Sequence, residues 1–140
     1  MAAVTPIFEG RQRLHQGAEY LLHQIGRVVL VLDTSGSMRG PKLQQAKRAM
    51  RYCLDNLNPQ DRFALMNFAT TVNRYRESLL EANAEQLGEA RKWVDALEST
   101  GGTAIDDALA AAQQMRSGDD SRSFTVVFFT DGQPTIGETN

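Results

Sequence analysis

Histidine and cysteine are nearly absent from this chain. Its 140 residues hold two histidines, His15 and His23, and one cysteine, Cys53. A single cysteine excludes an intrachain disulfide and a cysteine zinc site, and it fits a reducing compartment. Both histidines lie near the N-terminus, where their spacing reads as a solvated helix surface rather than a metal pair. They leave no Ser-His-Asp or Cys-His set for nucleophilic catalysis. Charge of one sign is also scarce. A net charge of −2 gives no basic field to draw in nucleic acid or an anionic membrane. No apolar run approaches the roughly 20 residues of a membrane span. The N-terminus lacks the charged and apolar regions of a signal peptide. If Met1 is the natural start, a cytoplasmic chain is expected.

What is present is enough for one domain with a core: 41% of residues are hydrophobic and 23% charged. The organising stretch is Val28-Val29-Leu30-Val31-Leu32-Asp33-Thr34-Ser35-Gly36-Ser37-Met38. Its apolar, mostly β-branched opening reads as a strand buried on both faces, as in a parallel sheet. The strand stops at a carboxylate, followed by two serines around Gly36, which is expected to let the backbone turn tightly. Gly40 and Pro41 then open a helix, with proline suited to its first position. A strand, a polar turn and a helix form the unit whose C-terminal edge carries ligand sites in open α/β sheets. Asp33, Ser35 and Ser37 are an all-oxygen set, which suits Mg²⁺ or Mn²⁺ better than zinc. Taken alone, Asp33 reads equally well as an Asx-turn acceptor and the serines as loop hydroxyls.

Residues 1 to about 7 read as a loose terminus, and about Phe8 to Gln24 as a helix. Leu43, Ala46, Met50, Cys53, Leu54 and Leu57 form the apolar stripe of a helix from Pro41 to about Leu57, which Asn58-Pro59 stops. Lys42, Lys47, Arg48 and Arg51 are expected mostly on its solvated side. Cys53, on the stripe, reads as an inert core thiol. Arg62–Phe68 reads as a strand and Val72–Arg76 as its short, charged edge partner. Asn83 and Gln86 form a capping box for a helix that turns Leu87, Ala90, Val94 and Leu97 inward, with Trp93 at its margin. Gly101-Gly102-Thr103 precedes a helix from about Ala104 to Met115, for which Thr103 serves equally as N-cap. Asp106 and Asp107 sit in its first turn, where the helix dipole stabilises them. Asp106 is also a candidate to support a metal site from behind. Phe124 to Thr130 reads as a second buried strand, ended by Asp131.

These pieces carry a resemblance. Asp33-Thr34-Ser35-Gly36-Ser37 matches the D-x-S-x-S motif of von Willebrand factor type A (vWA) domains, which begins a metal-ion-dependent adhesion site (MIDAS). Gly101-Gly102-Thr103 and Thr130-Asp131-Gly132 stand in the order of the family's second and third motifs. The wording Ser35 to Leu43, Asp61-Arg62-Phe63 and Asp131 to Thr139 is similar to the inter-alpha-trypsin inhibitor heavy-chain type and its bacterial relatives. The resemblance covers about Arg27 to Asn140 and leaves 1–26 as an N-terminal extension.

It implies an α/β, doubly wound, Rossmann-like sheet, mostly parallel, with one antiparallel edge strand and helices on both faces. It also implies a metal site built from Asp33, Ser35, Ser37, Thr103 and Asp131. Ser35, Ser37 and usually Thr103 would touch the ion, and Asp33 and Asp131 would act largely through water and hydrogen bonds. The implied function is a non-enzymatic, metal-dependent binding module. Its Mg²⁺, or Mn²⁺, would bridge to an exposed Asp or Glu of a partner protein. The alternative is a Mg²⁺-dependent phosphohydrolase or phosphoacceptor, which also sets aspartates at strand ends. Ser35 stands where a haloacid-dehalogenase-like enzyme needs a second aspartate. Gly36 to Lys42 has the wrong spacing for a P-loop.

The family fold continues past the third motif. The chain is therefore expected to be a partial vWA domain in which the strand ending at Asp131 has lost its outer neighbour. Its free edge would then be covered by another chain or by the N-terminal helix, or would self-associate.

Overall fold

The apolar run at Val28–Leu32 lies in a strand, β2 (Arg27–Asp33), all seven residues of which are buried. Alternation divides its side chains between two cores. Val28, Leu30 and Leu32 face one, and Val29 and Val31 face the other. A strand buried on both faces has no polar face to show, which is why the sequence reads as unbroken hydrophobicity. The computed structural model describes residues 3–7, 26–101, 105–116, 124–130 and 133–138.

After β2 a single 3-10 turn (Gly36–Met38) leads into α1 (Pro41–Asp55). Then come β3 (Arg62–Phe68), β4 (Val72–Arg74), β5 (Leu80–Glu81) and α2 (Ala84–Ala96). α3 (Ile105–Gln114) and β6 (Phe124–Thr130) complete the expected pattern. Two further strands, β1 (Ala3–Ile7) and β7 (Gln133–Glu138), were not expected. The described strands form one sheet in the order β1-β7-β6-β2-β3-β4, with β5 also on β3. β2 pairs in parallel with β3 on one side and β6 on the other. β4 and β5 run antiparallel to β3. This is the Rossmann-like α/β fold, with its parallel centre and the antiparallel edge strand at β4.

Each helix covers the sheet with the stripe its sequence carries. Leu43, Ala46, Met50, Cys53 and Leu54 of α1 join Ala90 and Val94 of α2 over one face. Ala108, Ala111, Ala112 and Met115 cover the other. The Asn83 side chain accepts the backbone N–H of Gln86 at 2.9 Å, the expected cap. Trp93 packs at the margin of α2, its ring 5.3 Å from that of Tyr75.

The structure corrects the sequence reading at three points. Ala3–Ile7 is a strand rather than a loose terminus, paired antiparallel with β7. β6 has an outer neighbour, because β7 pairs antiparallel with it from Thr125 to Thr130. Self-association through a free β6 edge is thereby closed off. The tight turn does not rest on Gly36: the left-handed glycines among the described residues are Gly40 (φ 84°) and Gly101 (φ 46°). Gly40 caps α1 and hands the chain to Pro41. The helix expected over about Phe8 to Gln24, with both histidines, lies outside the described residues.

Cys53 is a core thiol on the buried stripe of α1. Burial pushes its pKa up from 9.0 to about 12. The folded protein should therefore resist dithionitrobenzoate at about pH 8 and react fully once unfolded in guanidinium. The proton is held more tightly in the fold than in the unfolded chain. This contribution to stability is complete below about pH 9 and declines as pH rises from there towards 12. Rapid labelling of the folded protein would contradict this packing.

Candidate metal centre

The register of the three parallel strands brings their C-terminal ends level. Asp33 lies opposite Phe68 of β3, and Leu32 lies opposite Phe129 of β6. One step beyond Phe129, Thr130 comes alongside Asp33. Because β3 and β6 flank β2 on opposite sides, the end of β2 is the switch point where such sheets hold ligands.

Asp33 is buried, with 4% of its surface exposed, and both carboxylate oxygens are engaged. Oδ1 accepts the backbone N–H of Ser35 at 2.8 Å, closing the turn after the strand. Oδ2 accepts the Thr130 hydroxyl at 2.7 Å, tying the end of β2 to that of β6. Each oxygen keeps a further lone-pair direction for water. The Asx-turn is thus present, and it leaves the carboxylate able to accept a further hydrogen bond.

The closed turn delivers the two serines. Ser35 is buried and Ser37 exposed, and their Oγ atoms lie 3.2 Å apart. Adjacent positions in a Mg²⁺ octahedron, at roughly 2.1 Å from the ion, are about 3.0 Å apart. Two neutral hydroxyls at that separation, open on the Ser37 side, fit a hard cation. Among the described residues no group of three His, Cys, Asp or Glu could hold a metal.

Thr34, the variable residue of the motif, anchors the turn from below. Its backbone N–H and its hydroxyl both donate to the Phe68 carbonyl, at 2.8 and 3.0 Å. Its hydroxyl accepts from Asn67 Nδ2 at 3.0 Å, and its carbonyl accepts the N–H of Thr100 at 2.7 Å. Gly36 N–H donates to the Gly101 carbonyl at 3.0 Å. The first motif is thus stitched to the glycine-rich loop by two backbone bonds. Gly101 sits close against its neighbour: a Cβ there would lie 2.5 Å from Thr70 Oγ1. Thr103 and Asp131 lie outside the described residues. Of α3's two acids, Asp107 is exposed.

A family profile for the von Willebrand factor type A domain matches residues 28–133. The chain belongs to the vWA family. Human inter-alpha-trypsin inhibitor heavy chain H4 is 39% identical over 120 residues, which is 81% of this chain and 13% of that protein. The vWA chain thus spans a small part of the curated relatives it matches. Among solved structures, a von Willebrand factor type A protein from Catenulispora acidiphila superposes with a TM-score of 0.62 at 30% identity. It covers 66% of this chain and 23% of its own. Proximal thread matrix protein 1 from the mussel byssus, with a zinc-occupied MIDAS motif, shares the fold. Its TM-score is 0.61 at 22% identity, over 75% of this chain and 28% of its own.

The network below the vWA motif makes Thr34 and Asn67 positioning residues that the sequence reading missed. Asn67 sits in an apolar strand, and among the described residues its Oδ1 is buried without a partner. Thr34→Val removes the acceptor for the Asn67 amide and should lower unfolding free energy by about 1–3 kcal/mol in urea. Adding Asn67→Leu removes the stranded amide altogether. The double variant should therefore lose less than the sum of the two single changes. Full additivity would mean that the two side chains do not act as a pair.

Proposed function

We propose that this chain is a divalent-metal-dependent protein-binding module that engages an acidic residue of a partner through a bridged Mg²⁺. The observation that carries the reading is the Ser35–Ser37 hydroxyl pair, set 3.2 Å apart over a carboxylate that is already anchored. Ser35 and Ser37 are assigned as direct ligands together with Thr103. Asp33 and Asp131 are assigned to hold water and orient hydroxyls. The parts of Thr103 and Asp131 rest on the family motif. A cation held by neutral hydroxyls keeps most of its charge and offers that charge to an external carboxylate.

The chain's own residues do the positioning. Asp33 fixes the Ser35 amide and keeps the Thr130 hydroxyl pointed at the site. Thr34 holds the turn against β3, and the bond from Gly36 to Gly101 holds the second loop against the first. Ser35 stands where a haloacid-dehalogenase-like enzyme needs a second aspartate, and that favours capture over the phosphohydrolase reading.

Titration calorimetry should find one site for Mg²⁺, with Mn²⁺ binding at least as tightly. Affinity should fall about 10–100-fold in Asp33→Asn, whose carboxylate orients rather than ligates. It should fall further in Ser37→Ala. Unchanged binding in both Ser37→Ala and Asp131→Ala would overturn the assignment. Zn²⁺ binding without Mg²⁺ binding, as the occupancy of the mussel relative raises, would overturn the choice of ion. Metal-dependent hydrolysis of a phosphate ester, lost in Asp33→Asn, would favour the enzyme instead.

A further inference from the structure

Four basic residues of α1 read in sequence as a solvated face. Lys42 and Arg48 are exposed and Arg51 half-buried, but Lys47 is buried, with 4% of its surface exposed. It lies at the bottom of an open cleft of about 550 Å³ between α1 and the C-terminal end of α2. Arg39, Leu43 and Gln44 stand with it on the α1 wall, and Leu97 and Ser99 stand on the other.

The cleft opens at the metal edge. Arg39 follows directly on the 3-10 turn that carries Ser37, and its N–H donates to the Gly36 carbonyl at 3.2 Å. Ser99 precedes Thr100, whose N–H is bonded to Thr34. We propose that this cleft is a subsite for a second acidic side chain of the partner, held by Arg39 and Lys47. The proposal rests on the reading of the metal edge as a docking site, and it adds a specificity that the metal alone does not supply.

The basic side chains of the cleft, Arg39 and Lys47, gather on the α1 side, and Asp95 and Glu98 stand on the other. Lys47 Nζ donates to the Asp95 backbone carbonyl at 3.0 Å, one use of three ammonium donors. The Asp95 carboxylate is itself taken by Arg51 across the α1–α2 seam. Among the described residues Lys47 makes no ion pair. Burial lowers its pKa below the usual lysine value, and the Asp95 charge pulls the other way without cancelling the effect. Asp95 and Glu98 both attract Lys47 from the far side of the cleft, but Asp95 is shared with Arg51, so an incoming carboxylate adds counter-charge at a buried cation. Glu98, exposed on the α2 wall, repels an acid from that side. Entry is left to the Arg39 end, beside the metal. Leu43 and Leu97 offer apolar sides to the methylenes of a glutamate.

The test uses fluorescein-labelled capped peptides that carry one fixed Asp. A second position, two to six residues away, is Glu or Gln. Anisotropy is read in Mg²⁺. At the best spacing the Glu peptide should bind about tenfold more tightly than its Gln match, the scale of one charge-assisted hydrogen bond. Arg39→Gln and Lys47→Met should each bring that ratio towards one. Arg39 is exposed, so its variant tests the idea even where Lys47→Met folds poorly. Ser35→Ala should weaken both peptides alike and keep the ratio, which separates this subsite from the metal.

A second measurement needs no metal. In buffer stripped of divalent ions by resin, the Glu peptide should shift the Arg39 Nε and Ser99 amide signals in nitrogen-15 spectra. A Glu-to-Gln ratio of one at every spacing overturns the subsite. So does a ratio that survives in both cleft variants, or the absence of shifts at Arg39 and Ser99. Failure of the metal reading has a different signature: Ser35→Ala leaves affinity unchanged while the ratio persists.

Discussion

Everything at the candidate site depends on one carboxylate that bonds in two directions. Asp33 ends a strand whose seven residues are buried, so its side chain emerges where the sheet stops and two loops begin. With Oδ1 it shapes the turn that carries the serines, and with Oδ2 it fastens β6 to β2. A surface aspartate would do neither, because water would compete for both oxygens. Burial makes the bonds count, and the parallel register brings Thr130 within reach. The site is thus a product of the sheet's geometry as much as of the motif.

The two faces of the sheet support that arrangement differently. α1 and α2 bury large side chains, Leu43, Met50 and Leu54 among them, against β2, β3 and β6. α3 lies over the other face through three alanines and Met115, so small residues set its approach. Cross-ties between α1 and α2, from Arg91 to Asp55 and from Arg51 to Asp95, lie at partly exposed positions and add little. Position at the site is therefore held by packing and by buried hydrogen bonds rather than by surface charge.

How much of this is legible in sequence follows from the range of each interaction. β3 and β6 begin and end where hydrophobic runs and breakers place them, because burial is written into their own residues. The Asn83 cap is local and was read correctly. β1 and β7 are different. Ala3–Ile7 includes Pro6, and Gln133–Glu138 includes Pro134 and Gly137, so each short segment carries a breaker that masks the strand signal of its β-branched residues. Each becomes a strand through its pairing, β1 with a partner more than a hundred residues away and β7 with β6 as well. Asp33, Ser35 and Ser37 were legible as a motif. The roles of Thr34, Asn67 and Thr130 were not, since an Asn inside an apolar strand reads as an interruption until β2 lies beside it. The burial of Lys47 escaped for a similar reason: helical periodicity of α1 alone does not say that α2 covers its flank. Thr103 and Asp131 lie outside the described residues.

The link from Gly36 N–H to the Gly101 carbonyl joins the two loops through main chain alone. So does the link from Thr100 to Thr34. Only proline at Gly36 or Thr100 removes a donor, and only Gly101 is held to glycine by a neighbour, Thr70, whereas a one-residue insertion or deletion in either loop would break both bonds by shifting their register. Over evolutionary time such a pair would tolerate drift in residue identity elsewhere in the loops and resist change in loop length. The residues that meet a partner could then diversify while the spacing between the two loops stays fixed.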